Sequence, residues 1–338
     1  MTKTTRKISL LLAAIMIFGT LLCSCGNTKD ENNIAESETV LTASGYSVSY
    51  GLYRYFFLNY KSAYTQEQLA ENSAQIYSDI KASCYESLRG IYAVVAMCAE
   101  YGISTDSTDI QSRVDDTIAQ IKAQYIDEEN DKTGEKGFKK ALKANFMTED
   151  VLRYVTAVDL CEETLYTKMI GESGVIASDD ETVSAALYGD EFICVKQIYI
   201  DSENGEEYEK NKKTAEEAYK KAASGEDFDT LVANYSNDYT MTKHGYYITR
   251  GYMSEKFEDV AFALDVGEVS EILELSDGFH IIKRLEKDSD YIEQQYEELK
   301  DRYLTCKFYE KVDAKQETVT ITETALFSEI DPALISLD

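Results

Sequence analysis

The stretch that changes the character of this chain is Phe192-Ile193-Cys194-Val195-Lys196-Gln197-Ile198-Tyr199-Ile200. It is rich in β-branched and aromatic residues, a composition that is typical of a β-strand. Short helical and strand patterns follow it. Helices are predicted over 214–223, 228–235 and 257–264, and strands over 271–275 and 278–285. The sequence therefore predicts an α/β module at 191–287.

The segments on either side of this module carry helical patterns. Within 66–101 the apolar residues recur three or four positions apart, as on one face of a helix: Ile76, Ile80, Cys84, Leu88, Ile91, Val95 and Cys98. Ser178 with Glu181 matches the capping-box pattern, which predicts a helix that begins after Ser178. A charged amphipathic helix is predicted at 291–311, and a strand at 317–323. The fold class is therefore α+β, with a helical lobe at 40–190.

The N-terminus has the layout of a secretory signal. Lys3, Arg6 and Lys7 form a short positive region, and 8–22 is an apolar run. A helix that spans a membrane needs about 20 apolar residues, so this run is short for one. We expect 1–24 to be a signal peptide.

The apolar run ends in Leu22-Cys23-Ser24-Cys25-Gly26, which resembles the bacterial lipobox. The resemblance implies cleavage after Ser24 and a diacylglyceryl thioether on Cys25, with the chain at the outer face of the cell membrane. The alternative is an ordinary signal with incidental cysteines. The polar residues up to Thr39 are predicted to be a disordered tether, 25–39.

The net charge of the chain is −28, from 62 acidic and 34 basic residues. Such a surface repels phosphate backbones, so nucleic acid is not expected as a partner. It also repels anionic lipid, so the lipid on Cys25 would have to supply the membrane anchoring.

Five cysteines follow Cys25, far apart and odd in number: Cys84, Cys98, Cys161, Cys194 and Cys306. A disulfide framework would be even and denser, so we interpret them as buried apolar residues, with one incidental pair left open. The chain has only two histidines, which excludes a histidine-rich metal site.

Three stretches of the module, in this order, resemble the parvulin family of peptidyl-prolyl isomerases. The first is Ala223-Ser224-Gly225-Glu226-Asp227-Phe228 with Tyr235-Ser236-Asn237-Asp238. The second is Gly251-Tyr252-Met253 with Phe257-Glu258-Asp259-Val260-Ala261-Phe262-Ala263-Leu264. The third is Ser276-Asp277-Gly278-Phe279-His280-Ile281-Ile282-Lys283.

The layout of the whole chain resembles PrsA-type foldases and SurA-type periplasmic chaperones. The resemblance implies a helical N-terminal lobe at 40–190, a parvulin (PpiC-type) module at 191–287, and a C-terminal segment, 288–338, whose helix and strand pack on that lobe. It also implies that the partners are unfolded or newly exported polypeptides. The sequence does not indicate the oligomeric state.

Isomerisation must lower a rotational barrier of about 18–20 kcal/mol about the peptide bond, and it needs no cofactor, metal or nucleophile. An apolar pocket for the proline ring and a small polar network would serve. The resemblance assigns the pocket to Met253 and Phe257, with Tyr247 or Phe262 as further walls. It places Asp238 against the amide and His280 on the last strand.

The chain departs from the family at Gln197, which stands where parvulins usually have a histidine on the first strand. Glutamine can donate and accept hydrogen bonds but cannot titrate, so the sequence predicts weakened activity. Each candidate also has a structural interpretation. His280 would be a core histidine and Asp238 a turn or cap residue, and Met253 and Phe257 would be core residues even in an inactive domain.

Three functions compete at this point. The first is a parvulin-type isomerase that acts on exported proteins. The second is a chaperone that binds unfolded exported chains with a degenerate parvulin module, an alternative that Gln197 favours. The third, a solute-binding lipoprotein, would need two α/β lobes, and the sequence predicts one.

Overall fold

We analysed a computed structural model, which describes residues 32–170, 174–202 and 206–337. These residues form two compact units. One comprises 170–309, and the other comprises 32–169 together with 310–337. The predicted signal peptide, 1–24, and the predicted lipidation site, Cys25, lie outside the described residues.

Seven strands and eleven α-helices are numbered here in chain order along the described residues. The strands are β1 (Thr39–Ala43), β2 (Tyr46–Ser49), β3 (Ile193–Asp201), β4 (Tyr246–Ile248), β5 (Leu273–Leu275), β6 (Gly278–Leu285) and β7 (Ile321–Glu323). The helices are α1 (Tyr50–Lys61), α2 (Gln66–Glu100), α3 (Thr108–Ala123), α4 (Glu135–Ala144), α5 (Glu149–Met169), α6 (Asp180–Tyr188), α7 (Glu206–Ala223), α8 (Phe228–Tyr235), α9 (Glu255–Ala263), α10 (Ser289–Gln294) and α11 (Tyr296–Gln316).

The helical unit, 32–169 with 310–337, contains α1 to α5 and a three-stranded sheet in the order β2-β1-β7. Strand β7 is antiparallel to β1, with Leu41 opposite Glu323. The carboxylate of Glu323 accepts hydrogen bonds from Tyr85 Oη at 2.6 Å and Lys81 Nζ at 2.9 Å, both on α2. The C-terminal strand therefore completes the N-terminal lobe, as the predicted α+β fold class requires.

The last part of the predicted tether is ordered in this unit, which corrects the prediction for 32–38. The backbone N–H of Tyr50 donates to Glu38 O at 2.8 Å, and that of Gly51 donates to Glu36 O at 2.9 Å. Glu36 also forms an ion pair with the buried Arg54. The first N–H groups of a helix have no partner within it, and here the preceding segment supplies carbonyl acceptors to α1.

The α/β unit, 170–309, is built on a four-stranded antiparallel sheet in the order β4-β3-β6-β5. Helices α7 and α8 pack on one face through a buried cluster: Ile198, Ile200, Ala215, Ala218, Phe228, Leu231, Phe279 and Ile281. Helix α9 packs on the other face through a second cluster: Ile193, Val195, Ile248, Met253, Phe257, Ala261, Leu264 and Ile282. Side chains alternate between the faces of a strand, so β3 and β6 contribute to both cores.

The α/β unit extends beyond the predicted module 191–287 at both ends. Before the sheet, α6 is capped by Asp179, whose carboxylate accepts from Thr182 N at 2.8 Å, while Ser178 Oγ donates to Ile170 O. The predicted capping box at Ser178 is therefore wrong by one residue. Asp179 has the carboxylate within reach of the free N–H groups of the first turn.

The predicted helix at 291–311 is interrupted at Gln295, where α10 ends and α11 follows. Residues of α11 up to Tyr309 belong to the α/β unit, where Tyr303 packs beside Phe192 and Arg302 donates to Tyr247 O at 2.6 Å. The helix that was predicted to pack on the N-terminal lobe is therefore divided between the two units. Only the residues from Glu310 onward belong to that lobe.

The five described cysteines are buried and carry free thiols, in line with their interpretation as small core residues. Across the described ranges, no helix is both long enough and apolar enough to cross a bilayer.

Candidate active site

One face of the four-stranded sheet carries a row of polar and aromatic side chains. In the β3–β6 register Tyr199 lies opposite His280, and in the β3–β4 register Val195 lies opposite Tyr246. Residues directly opposite one another, and residues two apart on one strand, point to the same face. Gln197, Tyr199, His280 and Tyr246 therefore share the face on which α9 packs.

The loop that follows α8 brings Asp238 to this face. The hydroxyl oxygen of Ser236 accepts hydrogen bonds from Tyr199 N at 3.0 Å and from Asp238 N at 3.1 Å. The N–H of Asn237 donates to Tyr199 O at 2.6 Å. These backbone contacts hold the loop against β3, so that the carboxylate of Asp238 lies beside Gln197.

Gln197 connects Asp238 and His280 through its side-chain amide. Its Nε2 donates to Asp238 Oδ2 at 2.8 Å, and its Oε1 lies 2.9 Å from His280 Nδ1. A carboxylate can only accept, so the amide nitrogen must face Asp238 and the amide oxygen must face the imidazole. His280 Nδ1 therefore carries the proton in this arrangement.

Asp238 is the acceptor on which the network converges. Thr240 donates to its Oδ1 from N at 3.0 Å and from Oγ1 at 2.7 Å, and Tyr246 Oη lies 2.9 Å from both carboxylate oxygens. Burial opposes ionisation, but the hydrogen bonds from Thr240, Gln197 and Tyr246 outweigh it and lower the pKa of Asp238. Burial and the neighbouring carboxylate raise the pKa of Tyr246 to about 12. At neutral pH an ionised Asp238 therefore faces a protonated Tyr246.

His280 is only 5% exposed. Burial lowers its pKa, although Asp277 Oδ1, 3.3 Å from Nε2, acts in the opposite direction. Its ring lies 5.0 Å from the ring of Tyr199 and meets the edge of Phe257 at 5.9 Å and 83°. The imidazole is therefore neutral at pH 7 and held by packing on both sides.

The apolar end of the site is formed by Met253 and Phe257, which are buried with the core cluster under α9. The buried carboxylate of Glu258 accepts from Gly251 N at 3.0 Å and from Met253 N at 2.7 Å. Gly251 has a φ of +88°, a conformation that glycine adopts without the strain of a side chain. Glu258 thereby fixes the turn that presents Met253.

The polar network and the apolar end formed by Met253 and Phe257 lie in one groove of about 1250 Å³. Its lining includes five of the predicted site residues: Gln197, Asp238, Met253, Phe257 and His280. The described lining also includes residues that the sequence did not single out: Tyr199, Tyr239, Thr240, Tyr246 and Asp277. The catalytic candidates and the pocket candidates are thus neighbours, although they come from separate stretches of the chain.

Tyr247 and Phe262, predicted as further walls, are not in the groove lining. Tyr247 lies opposite Cys194 on the other face of the sheet, and its ring stacks on Tyr291 at 5.0 Å. Phe262 packs against the core cluster, with the guanidinium of Arg250 4.4 Å from its ring centre. Tyr246 takes the place expected for Tyr247, because neighbouring strand residues point to opposite faces.

Comparison with known proteins assigns the class of this module. Residues 195–286 match the family model of the PPIC-type PPIase domain, which is described as a rotamase. Residues 195–286 are therefore a PPIC-type, or parvulin-type, domain.

Among curated relatives, the chain is similar to the foldase protein PrsA of Bacillus subtilis, with 39% identity over 112 residues. That match covers 32% of this chain and 38% of the relative. It is also similar to the foldase protein PrsA of Caldanaerobacter subterraneus subsp. tengcongensis, with 26% identity over 289 residues, or 82% of each chain. The match at the higher identity, to PrsA of Bacillus subtilis, thus covers well under half of the length of that relative.

A solved structure of PrsA from Bacillus anthracis is similar at 20% identity and a TM-score of 0.35, over 68% of this chain and 96% of that one. A second, described as a SurA-like chaperone of Campylobacter jejuni, is similar at 13% identity and a TM-score of 0.28, over 85% and 99%.

Proposed function

We propose that this protein is a foldase that acts as a parvulin-type peptidyl-prolyl cis–trans isomerase on exported proteins. The observation that carries the proposal is the unbroken hydrogen-bonded series Asp238–Gln197–His280 beside the apolar pocket of Met253 and Phe257. A broken site would leave at least one of the buried polar groups without a partner, and that would cost stability.

The geometry suggests how the groove would lower the rotational barrier. A planar amide places partial negative charge on its oxygen, and a twisted amide loses part of that charge separation. With the proline ring held by Met253 and Phe257, the ionised Asp238 near the carbonyl oxygen would disfavour the planar state more than the twisted one. Only interactions that differ between the two states accelerate rotation.

Gln197 serves this site by holding its neighbours. It donates to Asp238 and accepts from His280, which is what a neutral histidine of fixed tautomer would do at the same place. Because glutamine cannot titrate, its own hydrogen bonds do not change direction with pH. The replacement that predicted a weakened enzyme is therefore compatible with an intact network.

Exchange spectroscopy on a proline-containing peptide tests the isomerase proposal. We expect the protein to accelerate cis–trans exchange, and Asp238→Asn to reduce kcat/KM by at least about tenfold, because a neutral amide removes the charge that disfavours the planar state. Asp301→Asn, at an exposed carboxylate outside the groove, is the matched control. No acceleration at any protein concentration would contradict the proposal.

The second candidate function is a chaperone that binds unfolded chains without isomerising them, which Gln197 in the histidine position favours. Suppression of aggregation of a client that lacks proline would measure this activity apart from isomerisation. If Asp238→Asn loses exchange but keeps full suppression, the two activities are separate. If the protein accelerates exchange but suppresses no aggregation, the chaperone function is excluded.

We also propose that the chain is held at the outer face of the cell membrane through a lipid on Cys25, as its lipobox-like sequence suggests. Mass spectrometry of the N-terminal peptide and membrane fractionation test this proposal. Cys25→Ala should abolish acylation and release the protein, whereas Cys23→Ala, two residues earlier, should do neither. An unmodified Cys25 in membrane-extracted protein would contradict the proposal.

A further inference from the structure

We propose that the groove selects X–Pro segments that carry a basic residue within two positions of the proline, and that Tyr239 and the groove carboxylates are the specificity determinants. This inference rests on the proposed isomerase function and names the chemical class of its substrate. It is carried by two independent observations, the presentation of one aromatic ring and the charge of the groove lining.

Tyr239 lines the groove, and 92% of its surface is exposed. Its position is imposed by the residues on either side. The carboxylate of Asp238 accepts from both the N–H and the hydroxyl of Thr240, a turn that encloses Tyr239 and directs its side chain outward. The described residues leave this ring open to solvent, so it presents apolar area to a ligand, and a tyrosine has only two side-chain torsions to order on binding.

The charged residues that line the groove are mostly acidic. Within the described lining, four residues carry carboxylates, Asp238, Glu255, Glu274 and Asp277, and one, Lys256, carries an ammonium group. The only histidine of this lining, His280, is neutral, so the groove has a negative potential. A concave surface lined by one sign of charge attracts ligands of the opposite sign and repels ligands of the same sign.

Arginine and lysine fit both features. A guanidinium or ammonium group is attracted to the face of an aromatic ring and to carboxylates, whereas a glutamate or a phosphorylated residue would be repelled. Two favourable contacts between exposed charges correspond to a preference of about five- to tenfold for a basic residue. The polypeptide partner is therefore a cationic stretch of unfolded chain around a proline.

The test uses the full chain and a set of peptides with one proline. Arginine, alanine or glutamate is placed in turn at each of four positions, the two before the proline and the two after it. For every peptide, kcat/KM for cis–trans exchange and Kd are measured by NMR. At one or more positions we expect arginine to exceed glutamate by about tenfold at low ionic strength, with a much smaller ratio at about 1 M salt.

Matched variants separate the groove from the general negative charge of the protein. Glu255→Lys should reduce the arginine-to-glutamate ratio to about twofold or less. Glu216→Lys, the same charge change at an exposed position of α7 outside the groove, should leave the ratio unaltered.

Tyr239→Ala should lower the ratio about two- to fivefold and Tyr239→Phe should preserve it, because phenylalanine keeps the aromatic face. Tyr188→Ala, an exposed tyrosine of α6, is the control.

The outcomes distinguish this inference from the proposed function. Exchange that is catalysed equally for arginine and glutamate at all four positions would overturn the selectivity and leave the isomerase standing. If no peptide is isomerised, the proposed function fails, and the Kd values decide. Tighter binding of the arginine peptides would then support the selectivity, and equal binding or none would overturn it.

Discussion

The two ends of the groove are built on different principles. At the apolar end, Met253 and Phe257 belong to the core under α9, so the side chains that would hold a proline ring also hold the unit together. At the polar end, Asp238, Gln197 and His280 are joined by hydrogen bonds to one another. At the apolar end, recognition of the proline ring is therefore coupled to stability. At the polar end, a substitution can remove catalysis while the fold persists.

This difference matters for judging whether a parvulin domain is active. Apolar pocket residues persist in an inactive domain because packing requires them. A continuous polar network is more informative, since its buried members would otherwise be unpaired. Gln197 and Asp238 are accordingly better indicators of activity in this chain than Phe257.

The largest expected effect is at the apolar end. Phe257→Ala should lower the free energy of unfolding by about 3–5 kcal/mol, because it removes a buried aromatic ring and leaves a cavity. It should also abolish exchange. Denaturant titration and exchange spectroscopy measure the two losses. Phe262→Ala, in the same core but outside the groove, should cost less stability and keep exchange. If Phe257→Ala kept full stability, the coupling at this end would be refuted.

An intermediate effect is expected at Gln197. Gln197→Leu removes a donor to Asp238 and the acceptor for His280, and should cost about 1–3 kcal/mol of stability and about tenfold in kcat/KM. Gln197→His can make both contacts and should stay within about 1 kcal/mol of the parent, with exchange at least as fast. Equal kcat/KM for the leucine and histidine variants would show that the polar end takes no part in catalysis.

The smallest effect concerns pH. Burial lowers the pKa of His280 in the folded protein below its value of about 6.5 in an unfolded chain. At this residue the unfolded chain therefore binds more protons as pH falls below about 6.5, so the contribution of His280 to stability should decrease. The slope cannot exceed about 1.4 kcal/mol per pH unit for one proton.

Denaturant titrations between pH 7 and pH 5 measure that slope. His280→Gln should flatten the profile, and His244→Gln, the matched change at the other histidine, should not. Equal slopes for the parent and for His280→Gln would argue against a neutral, buried His280.

Much of the α/β unit was predictable from short stretches of sequence. Strand β6 was predicted at its observed bounds, 278–285, and β3 within one residue, because both carry dense β-branched and apolar runs. The elements that were misplaced depend on single contacts. The cap of α6 is Asp179 rather than Ser178, and the break at Gln295 leaves no clear mark in an otherwise helical pattern.

The sequence by itself determined the family of the module and five residues of its groove, because those residues occur within local motifs. Tertiary structure decided the rest. Which of Tyr246 and Tyr247 enters the groove depends on the strand register, and alternation alone does not say which face α9 covers. The contacts of Gln197 with Asp238 and His280 join positions 41 and 83 residues apart in the chain. A local pattern carries no information about such pairings, so only the folded sheet shows that glutamine completes the network.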